Sequence, residues 1–467
     1  MRLMRLVPPL VVLSLGSAVT GQTFERSYGG PARERSCGMV TYPDGGFLLA
    51  GSIEQLPGLA GLLLVRTDSR GDTLWTKVIA DSGIDKRVNS AIDDGSGGLI
   101  AVGKARSQRA DWDACVIRVD STGTVIWSQT WGVSGWDDCV LAACRTWDGG
   151  WAVCGYTLQR RQPDVLASRF TSDGTRTWSS ITGTAQADYG YSIATATDST
   201  LVIAGTTVPA GSRYTDVYLL RLDHLGQLRW SLTLGDSLWD EARAVTTTPD
   251  GGLAVAGFSS SYGIGMDCYA ARLDSAGQTL WFKAVGRPYR SDRTYALVSA
   301  ADGSLVLAGA SETAGGGETD AYMVRIGPQG ALDWERLHGR TGSDCAFAIK
   351  LLGDGGMAVV GETETDSCNG IDFYLLRTDS AGAVGIRADE PPAESWKSAL
   401  ATPASTSAGA ASFCLTRVFA PDGRIVRTLH RDEAVWDGRD AKGVEVGSGV
   451  FCIIRSDGHI RRVVRFR

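Results

Sequence analysis

Asp274-Ser275-Ala276-Gly277-Gln278-Thr279-Leu280-Trp281 is a polar turn that runs into an indole, and the chain rewrites it once per repeat. Tryptophans in this position stand at Trp75, Trp127, Trp178, Trp230, Trp281 and Trp334, spaced 52, 51, 52, 51 and 53 residues apart. The frame extends back to Phe24, 51 residues before Trp75, and forward to Gly385, 51 after Trp334. Seven periods of one length imply one structural unit that buries its apolar faces against copies of itself.

Within a period the pattern resolves into four short strands. After Trp230 and Gly235, the run Ala242 to Thr247 alternates, and Pro249-Asp250-Gly251-Gly252 makes a hairpin turn. Leu253 to Gly257 follows, then a loop, then Tyr269 to Arg272 and the turn that delivers Trp281. The hairpin signal recurs at Asp44-Gly45-Gly46, Asp148-Gly149-Gly150 and Asp354-Gly355-Gly356, with Asp302-Gly303-Ser304 close to it. Period-two alternation bounded by Gly and Asp suits half-buried antiparallel strands. Four-stranded units of about 50 residues are propeller blades.

Two further positions are constant. A Gly closes the second strand at Gly51, Gly103, Gly155, Gly205, Gly257, Gly309 and Gly361, which predicts close approach of neighbouring blades. An Arg stands in the third strand at Arg66, Arg118, Arg169, Arg221, Arg272, Arg325 and Arg377. These arginines are either an anion-binding ring or structural partners of the Asp two residues on (Asp68, Asp120, Asp223, Asp274, Asp379). Repetition in every copy favours structure.

A meander alternates its connections between two rims. The hairpin turns and the turns before Trp share one rim and are uniform. Crossovers after Trp share the other with the loops between second and third strands, such as Lys104–Asp113 and Tyr156–Asp164, and these vary. Function is expected on that rim. Two carboxylate series are expected there: Glu34, Asp85, Asp137, Asp188, Asp240, Asp292 and Asp344 after Trp, and Asp113, Asp164, Asp216, Asp267, Asp320 and Asp372 at the start of the third strand. They are candidate Ca²⁺ ligands or acceptors of loop amides, and the second reading carries more weight. No other cofactor is expected. Four aromatics outside the repeat frame, Trp112, Trp136, Trp239 and Tyr262, form the candidate ligand-binding set, a glycan patch beside those carboxylates.

The 467 residues carry a formal net charge of −6. Segment 1–21 contributes +2 and the last 56 residues +4, so the body between them carries −12. An acidic body argues against nucleic acid or an anionic membrane as partner. Arg2 and Arg5 followed by the apolar run Leu6–Val19 and small residues read as a secretory signal cleaved after Gly21. The run is too short for a span of about 20 residues, and no transmembrane segment is expected in the mature chain. A secreted, extracellular or outer-surface location follows.

Export permits disulfides among the ten cysteines. Three pairings are arguable: Cys144–Cys154 across a hairpin, Cys345–Cys368, and Cys414–Cys452. Their spacings match no zinc site, and four histidines leave little from which to build a metal centre. Neither a nucleophile motif nor a phosphate loop is present, and no catalytic residue is assigned. The expectation is therefore a non-catalytic binding or structural module whose ligand is an extracellular glycan or protein. The alternative is an extracellular hydrolase or quinone-type enzyme using rim carboxylates.

Asp-x-x-Gly-x-x-x-Trp-x-x-x-x-Gly, complete in Asp120–Gly132 and Asp223–Gly235, resembles the tryptophan-docking turn of pyrroloquinoline-quinone-type propellers. The whole repeat over 24–385 is similar to secreted bacterial and archaeal propeller repeats, a resemblance that implies a surface or extracellular propeller. The dedicated cofactor ligands of the quinone enzymes find no counterpart in this chain. Residues 386–411 are a Pro, Ala and Ser-rich linker. Beyond it, 412–467 carries Gly423-Arg424-x-Val426-Arg427, Trp436-Asp437-Gly438 and Ser448-Gly449-Val450-Phe451. These motifs resemble the Ig-like domain of flagellar hook-capping proteins and the C-terminal sorting domains of type IX secretion. The resemblance implies engagement of sorting machinery through 412–467. The fold read from sequence is thus all-β: a seven-bladed β-propeller over 22–385, then a small Ig-like β-sandwich. Phe24–Tyr28 is predicted to complete the seventh blade, because the last copy has three strands and no Trp.

Overall fold

The computed structural model describes residues 22–29, 32–56, 59–107, 111–159, 162–236, 238–262, 265–287, 290–312, 318–339, 342–364 and 370–384, with four further strands between 416 and 465. The signal-like segment, the linker and Gly385 lie outside the described residues. Contacts divide the chain into Met1–Gly385 and Ile386–Arg467.

The first unit is a seven-bladed β-propeller. Blade four shows the pattern, from the axis outward: Asp188–Thr195, Leu201–Thr207, Asp216–Leu222 and Leu228–Leu234, in antiparallel order. Its two middle strands are almost wholly buried because both faces of a blade are covered by neighbours. Its outer strand alternates between exposed and half-buried positions. The core is seven clusters, one at each blade boundary. Val202, Leu219, Val255 and Ala271, for example, join blades four and five.

Each Trp docks on the following blade. Trp75, Trp127, Trp178, Trp230, Trp281 and Trp334 lie against Gly123, Gly174, Gly226, Gly277, Gly330 and Gly382, all in the left-handed region with φ between 72° and 90°. A Cβ on those glycines would press into the indole, and an L residue is strained there in any case. Trp178 and Trp281 also donate from Nε1 to the carbonyls of His224 (3.0 Å) and Pro328 (2.9 Å).

The seventh blade contains Asp344–Leu351, Met357–Glu364 and Ile371–Thr378, and its fourth strand is Phe24–Tyr28. Phe24 pairs with Arg377, just as each Trp pairs with the Arg of its own blade, and it packs on Gly71 of blade one as the Trp rings pack on theirs. A phenyl ring from the start of the chain thus occupies the seventh tryptophan position.

Two assignments read from sequence need correction. The seven arginines do not pair with the Asp two residues on; they pair with the Asp of their own hairpin turn. Arg66–Asp44 (2.6 Å), Arg118–Asp94 (2.8 Å), Arg221–Asp198 (2.8 Å), Arg272–Asp250 (2.7 Å), Arg325–Asp302 (2.8 Å) and Arg377–Asp354 (2.8 Å) are joined by Arg169–Asp148. The reason is topological: antiparallel pairing returns the end of the third strand beside the hairpin. Arg118 and Arg377 also reach the next blade, donating to the carbonyls of Ser172 (2.9 Å) and Ser69 (3.5 Å). Asp68, Asp120, Asp223, Asp274 and Asp379 instead accept the amides of their own turns.

The constant second-strand glycines mark close approach within a blade as well as packing between blades. Each lies opposite a β-bulge in its own innermost strand, at Ser36/Gly38, Val88/Ser90, Val140/Ala142, Gly190/Ser192, Ala242/Ala244, Thr294/Ala296 and Ala346/Ala348. A Cβ on any of the seven would overlap a backbone carbonyl of that strand.

Cys37, Cys115, Cys139, Cys144, Cys154, Cys268 and Cys345 are free thiols. Cys144 and Cys154 are not opposite each other: Cys144 faces Ala152 and Cys154 faces Ala142, because the turn holds one more pair of residues than a tight hairpin would. Cys368 and Cys414 fall outside the described residues. In the second unit Thr416–Phe419, Ile425–Leu429, Gly449–Arg455 and Ile460–Arg465 form one antiparallel sheet, with Thr416–Phe419 between Ile425–Leu429 and Gly449–Arg455.

Candidate functional site

The seven bulges converge on the axis. A bulge leaves one residue without a cross-strand partner and re-aims its side chain. Here the bulged residues are Cys37, Asn89, Leu141, Tyr191, Arg243, Tyr295 and Phe347, and all seven line a central cavity of about 660 Å³. The residue before each bulge and its cross-strand partner make a second ring toward the long-loop rim. Its pairs are Arg35/Ser52, Arg87/Lys104, Cys139/Tyr156, Tyr189/Thr206, Glu241/Phe258, Arg293/Ala310 and Cys345/Glu362.

The mouth so formed combines aromatic faces and guanidinium groups. Tyr191 stacks on Tyr189 at 5.8 Å and 3°, and Tyr189 meets Tyr156 edge-on at 5.2 Å. The Arg243 guanidinium sits 3.9 Å from the Tyr191 ring centroid and 2.6 Å from Glu241, and also approaches Phe258. Tyr295 and Phe347 are 5.2 Å apart. Arg35 faces Glu362 at 3.8 Å, and deeper in the channel Lys350 meets Asp93 at 3.6 Å. Burial pushes the Tyr191 and Tyr295 phenols and the Glu362 carboxyl up, and the Lys350 ammonium down.

The hydroxyls at this level bridge neighbouring blades, and the Cys37 thiol bonds within its own blade. Ser192 accepts from the Val245 amide at 3.1 Å, Ser52 accepts from the Val88 amide at 2.7 Å, and Cys37 donates to the Ala50 carbonyl at 3.4 Å. Burial raises the Cys37 thiol far above its ordinary value. No histidine among the described residues lines the cavity. The arrangement offers stacking faces and charge, and no activated nucleophile.

The four aromatics singled out in the sequence fall into two clusters. Trp112 lies between second and third strands of blade two, its ring 4.1 Å from Arg106, 4.5 Å from Lys104 and 5.3 Å from Arg87. Its neighbouring loop carries Trp136, joined through Gly135 N–H to Asp111 at 2.5 Å. Trp239 and Tyr262 belong to blade five and are 48% and 53% exposed; Trp239 packs on Tyr214 and Tyr262 on Phe282. The structure does not gather the four into one patch. The channel residues escaped sequence reading because they differ in every copy. Their signal was the constant glycine opposite each of them.

The first series of rim carboxylates is buried, and Asp113, Asp164, Asp216 and Asp320 of the second are half-buried. Glu34, Asp85, Asp138, Asp188, Asp240, Asp292 and Asp344 are each at most 3% exposed. In blade three the ring residue is Asp138, and Asp137 instead accepts the Trp112 amide at 2.9 Å. In blade two Lys86 takes the ring position and Asp85 stands one residue earlier. Asp138, Asp240 and Asp292 accept the crossover amides of Val133 (2.9 Å), Asp236 (3.0 Å) and Arg287 (2.6 Å). Gly132, Gly183 and Gly339 each sit between two carboxylates, Asp113 and Asp138, Asp164 and Asp188, Asp320 and Asp344, so the two series meet pairwise between blades. Among the described residues no group of three or more His, Cys, Asp or Glu is placed to hold a metal ion.

Burial first, and then the facing carboxylate, raises Asp164, Asp267 and Asp320, the last to about 6. Oδ1 of Asp188 and of Asp292 is buried without a hydrogen-bond donor. A carboxyl whose folded value exceeds its unfolded one stabilises below the unfolded value, near pH 4, and that contribution is lost as pH rises through about 6 for Asp320. Around Asp320, Asp344, Glu318 and Glu25 favour the protonated form and Arg287 opposes it. Asp320→Asn, which keeps a donor without the charge, is expected to raise the thermal midpoint at pH 7.5 relative to the parent and to leave it unchanged at pH 4. Equal shifts at both pH values would contradict the paired-acid assignment.

No family model matches the chain. No curated protein matches it. Among solved structures it is similar to a lectin from Burkholderia pseudomallei, with 11% identity, 74% of this chain and 96% of that one covered, and a TM-score of 0.50. It is similar to a puromycin hydrolase mutant at 15% identity and TM-score 0.50, where 87% of this chain spans 58% of that one. It is also similar to Sqt1 from Chaetomium thermophilum, at 13% identity with 93% and 97% covered and a TM-score of 0.44. These likenesses are of fold.

Proposed function

We propose that this chain is a secreted, non-catalytic carbohydrate-binding propeller that takes its ligand at the channel mouth on the long-loop rim. One observation carries the reading: seven bulges turn Tyr191, Tyr295, Phe347 and Arg243 into a cavity of about 660 Å³. Aromatic faces with a few directed polar groups are the chemistry that orients a small polar ring. A lectin among the propellers of similar fold fits this reading. The hydrolase alternative would use rim carboxylates, and Asp138, Asp240 and Asp292 are buried and occupied with crossover amides. Export by the N-terminal signal and surface delivery through the Ig-like, sorting-type tail at 412–467 complete the proposal.

A glycan array probed with the full chain and with Tyr191→Ala/Tyr295→Ala tests it. The parent is expected to mark a defined set of glycans. The double variant should weaken that binding by about tenfold or more, as loss of central aromatic anchors does. Absence of any glycan signal from a folded parent, or undiminished binding by the variant, would overturn the reading.

A further inference from the structure

We propose that the ligand of this mouth is an acidic polysaccharide, one whose sugar rings alternate apolar faces with carboxylate or sulfate groups; this rests on the carbohydrate reading above. The bulges and the register positions next to them carry five cations, Arg35, Arg87, Lys104, Arg243 and Arg293, against two carboxylates, Glu241 and Glu362, and of these Arg35, Arg243 and Glu362 line the cavity itself. That surplus stands in a body whose net charge is strongly negative, so it is a local feature and not a property of the whole surface. A cleft of one charge sign focuses the field and selects ligands of the other.

The cations are reachable. The side chains of Arg35, Arg87 and Arg106 are 61%, 44% and 38% exposed. Their partners do not neutralise them. Arg87 and Arg106 share the single buried carboxylate of Asp85, at 3.3 and 3.6 Å, and Lys104 adds a third charge over the same Trp112 ring. Arg243 keeps its Nε buried without an acceptor, although its terminal nitrogen meets Glu241.

The arrangement also extends outward. Trp112 with Arg87, Lys104 and Arg106 forms a charged platform on blade two, and the register of Arg87 is that of Arg35 at the cavity. Aromatic face and cation therefore recur from the platform to Tyr191 and Arg243 in the channel. A neutral glycan would use the faces and leave the guanidinium groups idle. An acidic peptide would use the charges and leave the faces without ring partners. A chain of anionic sugars engages both.

Binding of the full chain to polygalacturonate, to its fully methyl-esterified form and to poly-glutamate distinguishes these cases. Polygalacturonate is expected to bind at least tenfold more tightly than either of the others, with affinity falling as salt rises. Arg87→Ala/Arg106→Ala should weaken it about tenfold, whereas Arg229→Ala, on the outer strand of blade four, should not change it. Thermal midpoints within a few degrees of the parent establish that the variants are folded. Equal binding of the methyl ester overturns the acidic-ligand assignment and leaves carbohydrate binding standing. Equal binding of poly-glutamate overturns it in favour of a protein ligand. Failure of the parent to bind any polysaccharide, on this panel or on the array, removes both.

Discussion

Phe24→Ala is expected to lower the unfolding free energy of the propeller by about 3–5 kcal/mol, the range for emptying a buried aromatic site. Phe24 is 2% exposed, meets Phe47 edge-on at 6.2 Å, and packs with Met39, Leu63, Val65, Phe373 and Leu375 at the junction of blades seven and one. Its loss removes more than one ring. The strand Phe24–Tyr28 is held by pairing to Ile371–Thr378 and by Tyr28, which donates to the Gly71 carbonyl at 2.7 Å. Without the phenyl anchor that pairing lacks its apolar half, and blade seven presents an open edge, which invites association. Urea unfolding of the parent, Phe24→Ala and Phe24→Trp measures the effect. Phe24→Trp restores the residue that six other blades use and should stay within about 1.5 kcal/mol of the parent. A Phe24→Ala midpoint equal to that of the parent would show that the ring does not depend on its closure.

Gly309→Ala is the second large effect. A methyl there meets the Arg293 carbonyl and the Thr294 Cα, which are backbone atoms in the middle of an innermost strand and cannot swing aside. Overpacking against such a wall costs about 3 kcal/mol, the upper end of the usual range. Gly353 is the control: nothing lies within 4 Å of an added Cβ and its φ is ordinary, so Gly353→Ala should fall within about 0.5 kcal/mol of the parent. The two substitutions also differ in function. Straightening the bulge opposite Gly309 withdraws Tyr295 from the channel, so Gly309→Ala should weaken ligand binding even where the protein remains folded. Stability equal to that of Gly353→Ala would mean that the bulge is not imposed by the glycine.

How much of this could be read in the residues follows from what repetition preserves. The tryptophan spacing, the hairpin glycines and the buried middle strands are the same in every copy, so the blade count and the rim assignment were legible. The closure was legible too, from the absence of a tryptophan in the last copy and the spare strand at Phe24. The arginine partners were not. Proximity in sequence favoured Asp223 for Arg221, whereas the return of a hairpin brings Asp198 to it at 2.8 Å. The carboxylates were read as Ca²⁺ ligands or, with more weight, as acceptors of loop amides, and Asp138, Asp240 and Asp292 do accept such amides. Their burial arises from pairing between blades, which no single repeat reveals. The mouth was the least legible part: Cys37, Asn89, Leu141, Tyr191, Arg243, Tyr295 and Phe347 share a position and no chemistry. A search for constancy passes over them.

The seventh blade also sets a clock. Phe24 is among the first residues of the propeller to be made and Arg377, its partner across the sheet, among the last. At roughly 5–20 residues per second, the N-terminal strand waits on the order of 20–70 s for its place to exist. Until then six blades can stack in sequence, each on the one before, but the ring stays open and its mouth incomplete, since Glu362 and Phe347 have yet to arrive. On the proposed reading, a complete mouth is therefore a property of the closed ring, and a product truncated before blade seven would keep Tyr191, Arg243 and Tyr295 on an open scaffold without Phe347 and Glu362.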